Sequence, residues 1–263
     1  MKYKHVALIG VDGAGSFFRK ANTPNIDRIF ENGAVSFEVL TAEPTISAEC
    51  WGSMLLGVKP ELHGLTNEIV VEKRYDVNSK YPSIFRVIRE QIPDAVLASF
   101  CNWSPINFGI IESNLDVYEE SCGDEQLTPK ICDYVIKNKP TMLFVQFDEV
   151  DEAGHNHVYG SEIYLNQIAT EDGYIGKIFD AYTKAGIIDD TLFIVTADHG
   201  GIGQGHGGST DDEKYVMFAA TGKHVPKGEI KNMVIRDTPA IIADALGLKM
   251  PETWDSKVPE GLK

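Results

Sequence analysis

The chain has 263 residues, 43% of them hydrophobic and 24% charged, a balance that suits one folded globular domain. Its 39 acidic residues outnumber 24 Lys and Arg, and the formal charge of −15 excludes a basic groove for long nucleic acid. A small phosphorylated substrate stays admissible, because bound metal ions supply local positive charge. No run approaches the roughly 18 apolar residues of a membrane span. Four scattered cysteines, Cys50, Cys101, Cys122 and Cys132, follow an N-terminus without a signal-like segment. That pattern leads us to expect reduced thiols and a cytoplasmic protein.

In chain order, residues 5–11 form a continuous apolar run ending at Asp12-Gly13, as a buried parallel strand does. Thr23-Pro24-Asn25 opens a short amphipathic helix that stops before Gly33, and a strand is expected from Val35 to Leu40. Ser47 lies at the start of a helix ending near Gly57, and Pro60 to Gly64 reads as a turn. A helix over 83–91 precedes a strand over 96–100; a helix over 127–137 precedes a strand over 141–147. A long capped helix spans 161–184, followed by strands over 191–196 and 215–220 and a helix over 238–246 with Pro239 in its first turn. Strands alternating with helices predict an α/β fold, a three-layer αβα sandwich around a mostly parallel sheet. With no repeat or linker, residues 1–263 are expected to make a single domain without a large cap insertion. Residues 66–82 and 101–126 carry no readable motif.

Three of the apolar strands end in carboxylates: Asp12, Asp198 and, a few residues late, Asp151. Ligands of open α/β sheets bind beyond the carboxyl ends of the strands, so these groups are placed to converge. His155 lies four residues after Asp151, His199 adjoins Asp198, and His206 follows on a glycine-dense loop. Carboxylate oxygen with imidazole nitrogen suits zinc, manganese or iron, and six such ligands suffice for two ions. Asp148 competes with Asp151 for the carboxylate role. Ser47 is the candidate nucleophile, with Thr45 the alternative, because a helix N-terminus favours a phosphate and an alkoxide.

The order Asp12, Pro44-Thr45-Ile46-Ser47, Leu56 through Gly64, Asp151-x-x-Gly154-His155, Asp198-His199-Gly200-Gly201 and His206-Gly207-Gly208 resembles the alkaline phosphatase superfamily. The type I phosphodiesterase/nucleotide pyrophosphatase branch is the nearest. The resemblance runs on through Asp237-Thr238-Pro239, Leu246-Gly247-Leu248 and Pro251. It implies one divalent cation on Asp151, His155 and His206, and a second on Asp12, Asp198, His199 and the Ser47 oxygen. Zinc is the expected ion, with manganese second. It also implies attack by Ser47 through a phosphoseryl intermediate, and Asn67 as donor to a phosphoryl oxygen. The sulfatase Cys-x-Pro-x-Arg signature is missing, since Ser47 is followed by Ala48-Glu49-Cys50-Trp51.

The implied activity is hydrolysis of phosphate diesters or nucleotide pyrophosphates. The alternatives are a phosphomonoesterase, a phosphonate hydrolase or a mutase on the same site, and, from another class, a metal-binding protein without catalysis. A monoesterase needs an added cation for the extra substrate charge; Arg19, Arg74 and Arg86 are candidates for it.

Overall fold

The computed structural model describes residues 1–262. Its strands are β1 (His5–Val11), β2 (Ala34–Leu40), β3 (Leu97–Cys101), β4 (Val117–Glu120), β5 (Met142–Phe147), β6 (Thr191–Thr196), β7 (Tyr215–Thr221) and β8 (Gly228–Glu229). They form an eight-stranded sheet in the order β4-β3-β5-β1-β6-β7-β2-β8. Strand β7 runs antiparallel to β6 and β2; every other pairing is parallel.

The helices are α1 (Pro24–Phe30), α2 (Ser47–Leu56), α3 (Pro60–His63), α4 (Asn67–Glu72), α5 (Ile84–Gln91), α6 (Pro105–Gly109), α7 (Asp124–Asn138), α8 (Glu149–His157), α9 (Glu162–Lys184), α10 (Asp211–Lys214) and α11 (Thr238–Leu246). On one face α9 packs against α1, α7 and α8; on the other α2 packs with α3, α4, α5 and α11. Coverage on both sides explains why β3, β5 and β6 are buried at every residue and are predominantly apolar. By contrast β2 lies next to the sheet edge, and its burial alternates.

The expected α/β sandwich is the observed one, with local differences. The Pro60–Gly64 turn is one helical turn, closed by Gly64 in the left-handed region at φ 67°. The motif-free segments contain α4, α6 and β4. Helix α7 starts at Asp124, earlier than its apolar periodicity showed. The reason is a buried reciprocal cap: Asp124 Oδ2 accepts from the N–H groups of Asp148 and Glu149 at 2.9 and 2.8 Å, and Glu149 Oε1 accepts from Asp124 N at 3.2 Å. This exchange also caps the start of α8, whose own sequence carries little apolar periodicity. Helix α8 carries Glu149, Asp151 and Glu152 in its first turn and His155 and His157 in its last, as the helix dipole favours.

Strands β5, β1 and β6 lie side by side and parallel, so the residues after each emerge together. Strand β2 points the same way, being separated from β6 only by antiparallel β7, and delivers α2 to the same edge. Gly10 of β1 makes room for α2: a Cβ there would lie 2.2 Å from Trp51 Cη2. Gly10→Ala is expected to lower stability by about 1–3 kcal/mol. Gly173→Ala in α9, where a Cβ meets nothing within 4 Å, is expected to raise it by up to about 1 kcal/mol. Urea unfolding of the two variants measures both, and equal effects would refute the close approach of Trp51 to β1.

Candidate active site

Asp12 follows β1 directly and is 1% exposed. Its Oδ2 accepts from Trp51 Nε1 at 2.9 Å and from Gln146 Nε2 at 3.0 Å, which leaves Oδ1 buried with no hydrogen-bond partner. Asp198 Oδ1 accepts from the N–H groups of Gly13 and His199, at 3.1 and 2.8 Å, and its Oδ2 is likewise without a partner. His199 Nδ1 lies 2.9 Å from Gly200 O. A carbonyl can only accept, so the proton sits on Nδ1 and Nε2 presents a lone pair. That Nε2 lies 3.5 Å from Asp12 Oδ1, 3.4 Å from Asp198 Oδ2 and 3.3 Å from Ser47 Oγ. Four donor atoms from three segments, after β1, after β6 and at the start of α2, thus face one small volume.

A second cluster adjoins the first. Asp151 and His155, four residues apart on α8, share one helix face, with His155 Nε2 3.2 Å from Asp151 Oδ2. His206 Nε2 lies 3.9 Å from Asp151 Oδ1 and 3.2 Å from His155 Nε2. Both histidines place Nδ1 on backbone carbonyls, His155 on Gln204 O at 2.9 Å and His206 on Thr45 O at 2.7 Å. Two lone-pair nitrogens 3.2 Å apart repel unless a cation or a proton stands between them. The Tyr159 hydroxyl donates to Asp151 Oδ1 and steers that carboxylate. The rings of His199 and His206 stack at 3.9 Å, so the clusters share a wall.

The side chains around Ser47 have fixed tasks. Ser47 is 8% exposed at the start of α2, whose N-cap residue Ile46 offers no side-chain cap. Asn67, first residue of α4, supplies one instead: its Oδ1 accepts from Ala48 N at 3.0 Å. This fixes the amide beside Ser47 and leaves Nδ2 free to donate. Thr45 accepts from Gly207 N and donates to Gly208 O, both at 2.9 Å, so its hydroxyl is occupied in holding the His206 loop. Asp148 Oδ1 accepts from Gln146 Nε2 at 2.8 Å and stands outside both clusters. His63 accepts from Leu65 N and contacts Ser53 Oγ; burial holds its pKa down at about 4, as befits a turn histidine.

Electrostatics show what the clusters require. Burial pushes the carboxyls of Asp12 and Asp198 well above their ordinary range, and each is pushed further by neighbouring carboxylates. Burial also holds the imidazoles of His199 and His206 in their neutral form. The Asp151 hydrogen bond raises His155 to about 9. Burial acts to raise Asp151, but the hydrogen bonds from His155 and Tyr159 work against it, and it is held at about 2. Two orphaned buried oxygens with the neutral His199 imidazole aimed at them, beside a second carboxylate–imidazole cluster, fit divalent cations bound by mixed oxygen and nitrogen donors.

Sequence reasoning missed the supporting residues. Trp51 lies one helical turn after Ser47, on the same face, and that spacing is the signal that could have found it. Gln146 is the one amide in the apolar run Met142–Phe147, a buried polar side chain that called for a partner. Tyr159 carried no signal in its spacing.

The pH dependence follows from the raised carboxyls. A carboxyl with a raised folded pKa contributes stability below its unfolded value, and that contribution is lost as pH climbs through the folded value. The metal-free chain therefore loses stability from Asp12 and Asp198 as pH rises from the acid range. A cation displaces those protons, so its binding tightens in the same direction. The rise in Tm on adding zinc is expected to be larger at about pH 8 than at about pH 5. Calorimetry at the two values checks this, and an increment that shrinks with pH would contradict it.

The profile of the family described as type I phosphodiesterase / nucleotide pyrophosphatase matches residues 6–83 and 103–204. Murine ectonucleotide pyrophosphatase/phosphodiesterase 5, an inactive variant in complex with AMP, superposes with a TM-score of 0.77 at 16% identity, over 96% of this chain and 97% of that one. A putative sulfatase from Bacteroides thetaiotaomicron gives 0.74 at 12% identity, over 97% and 73%. The lipoteichoic acid synthase LtaP from Listeria monocytogenes gives 0.69 at 16% identity, over 94% and 72%. No curated protein matches by sequence. The family profile covers well over half of the chain, which belongs to the type I phosphodiesterase/nucleotide pyrophosphatase family of phosphoric ester hydrolases.

Proposed function

We propose that this protein hydrolyses phosphate diesters or nucleotide pyrophosphates, with Ser47 as nucleophile and two divalent cations, zinc in preference to manganese, as cofactors. The observation that carries the reading is the placement of Ser47 Oγ 3.3 Å from His199 Nε2, where Asp12 Oδ1 and Asp198 Oδ2 also converge. Asp12, Asp198, His199 and Ser47 would hold one cation; Asp151, His155 and His206 would hold the other. When bound, the cations supply the positive charge that lowers the serine hydroxyl pKa and offsets charge on the attacking and leaving oxygens.

The chain's own residues do the rest. Ser47 Oγ attacks phosphorus, the ester oxygen departs, and water then releases the phosphoryl group from the serine. Asn67 Nδ2 donates to a non-bridging oxygen, held in place by the bond from Ala48 N to its Oδ1. The α2 N-terminus turns its dipole toward the same group. His155, 44% exposed in its side chain, marks the open side, while His199 closes the floor at 0%.

Charge favours a diester. Three carboxylates and an alkoxide against two divalent ions leave the inner shell near neutral, suited to a monoanion. The candidate monoester cations are committed elsewhere: Arg19 lies over the Phe37 ring, Arg74 over the Phe108 ring, and Arg86 binds Glu90 and Ser79 O. The AMP complex of the murine relative supports a nucleotide product. Four free cysteines, two fully buried, support a reducing, cytoplasmic setting.

Bis(p-nitrophenyl) phosphate, p-nitrophenyl phosphate, a phosphonate monoester and p-nitrophenyl sulfate, each assayed with zinc and with manganese, test the class. The diester is expected to turn over fastest. Preference for the monoester would favour the alternative phosphatase reading, and preference for sulfate would end the phosphoryl one. Ser47→Ala should lower kcat by roughly 1,000-fold or more with both metals retained; full activity would remove the covalent route. Asn67→Asp keeps the acceptor for Ala48 N but removes the donor. It is expected to cost about 100-fold in kcat at unchanged Tm. An unchanged kcat would confine Asn67 to capping.

A further inference from the structure

A third acidic cluster lies away from Ser47, where α7, α8 and α9 meet. Asp124, Glu149 and Glu171 each offer a carboxylate oxygen, all within 4.8 Å of one another. Asp124 and Glu171 are 0% exposed. Their partners are neutral: Asn102 Nδ2 donates to Asp124 Oδ1 at 3.0 Å, and Gln167 Nε2 donates to Glu149 Oε2 and Glu171 Oε1 at 3.2 and 2.9 Å. Backbone N–H groups of Asp148, Glu149 and Asp124 supply the remainder. Among the described residues no Lys, Arg or His pairs with any of the three. Glu171 Oε2, fully buried, has no hydrogen-bond partner at all.

Caps and amides account for every other oxygen in the cluster; Glu171 has besides them only the Asp124 carboxyl, which as a carboxylate has no proton to donate. Three carboxylates brought together out of water repel strongly unless positive charge joins them. All the donors are oxygens, the set preferred by hard cations and disfavoured by zinc. Calcium–oxygen bonds of about 2.3–2.6 Å allow two ligands of one ion to lie up to roughly 5 Å apart, which accommodates the observed spacing. We propose that Asp124, Glu149 and Glu171 bind a hard divalent cation of the calcium type, which ties α7, α8 and α9 together. Glu149 sits in the first turn of α8, two residues before Asp151, so this ion would brace the helix that carries Asp151 and His155.

Burial raises both Asp124, to about 7, and Glu171, so a shared proton is the rival way to relieve the repulsion. The two are separated by stripping the full chain of metal, reloading it with excess zinc and dialysing it against calcium chloride, or magnesium chloride in a parallel sample. Elemental analysis is expected to find one calcium or magnesium per chain, with zinc counted separately so that the histidine-containing sites are judged on their own. Adding calcium should raise the Tm of the zinc-loaded chain. Glu171→Gln should weaken calcium binding by about ten-fold or more, abolish that rise in Tm and, having lost one of three repelling charges, be more stable than the parent without calcium. No hard cation in the wild-type chain together with a Tm indifferent to calcium and magnesium would overturn the proposal. So would an infrared carboxylic-acid band that persists in calcium and disappears in Glu171→Gln, since a proton would then occupy the cluster.

Discussion

Two oxygens with nothing to accept, Asp12 Oδ1 and Asp198 Oδ2, set the terms for the rest of this structure. Both are buried at the carboxyl edge of the sheet, and a buried carboxylate without a partner costs several kcal/mol in a low-dielectric interior. A fold optimised for the metal-free chain would have turned them to a donor, as their sister oxygens are turned to Trp51, Gln146, Gly13 and His199. Instead each carboxylate is half satisfied and half held open toward His199 Nε2. The same division appears in the imidazoles. His155, His199 and His206 each place Nδ1 on a backbone carbonyl and leave Nε2 facing the other donors. Such a set of tautomers and free lone pairs is coherent only around positive charge.

The fold holds these groups open through elements that are themselves fixed. Trp51 belongs to the helix that begins at Ser47, packs against Gly10 of β1 and reaches back to Asp12, the residue just after β1. Asp12 and Ser47 are thereby tied by one side chain, so a shift of α2 would disturb both. On the other side Thr45 clamps Gly207 and Gly208 while its carbonyl takes the His206 proton. The segment just before Ser47 thus positions a histidine of the neighbouring cluster. The glycine loop that separates Asp198 from His206 allows one connection to serve both clusters, with Gly203 inside it and Gly207 just beyond it at positive φ.

Much of this is legible in the sequence, because both faces of the sheet are covered. Unbroken apolar runs ending in Asp12 and Asp198 marked adjacent strands and their carboxyl ends, and Ser47 stood at a readable helix start. What stayed hidden depended on pairs far apart in sequence. Helix α8 has little apolar periodicity of its own and is nucleated by Asp124, 25 residues before Glu149; no local pattern announces that. Asn67 beside Ala48 likewise depends on how α4 docks on α2. Trp51 and Gln146 were visible as residues, but that both donate to one oxygen of Asp12 is a property of the packed sheet and helix.

The charge of −15 is consistent with an anionic substrate once it is resolved by location. The acidic groups that matter are buried with cation-seeking imidazoles, and their charge is cancelled locally in the proposed metal-loaded state. A diester monoanion then meets a nearly neutral shell, the Asn67 amide and the positive end of α2. A monoester dianion brings one more charge, and Arg19, Arg74 and Arg86 are all engaged away from Ser47. In the proposed function, discrimination between the two therefore rests on what the site leaves uncompensated. An extra substrate charge over Ser47 faces only the α2 dipole and an amide, whose combined attraction is far weaker than that of a guanidinium fork.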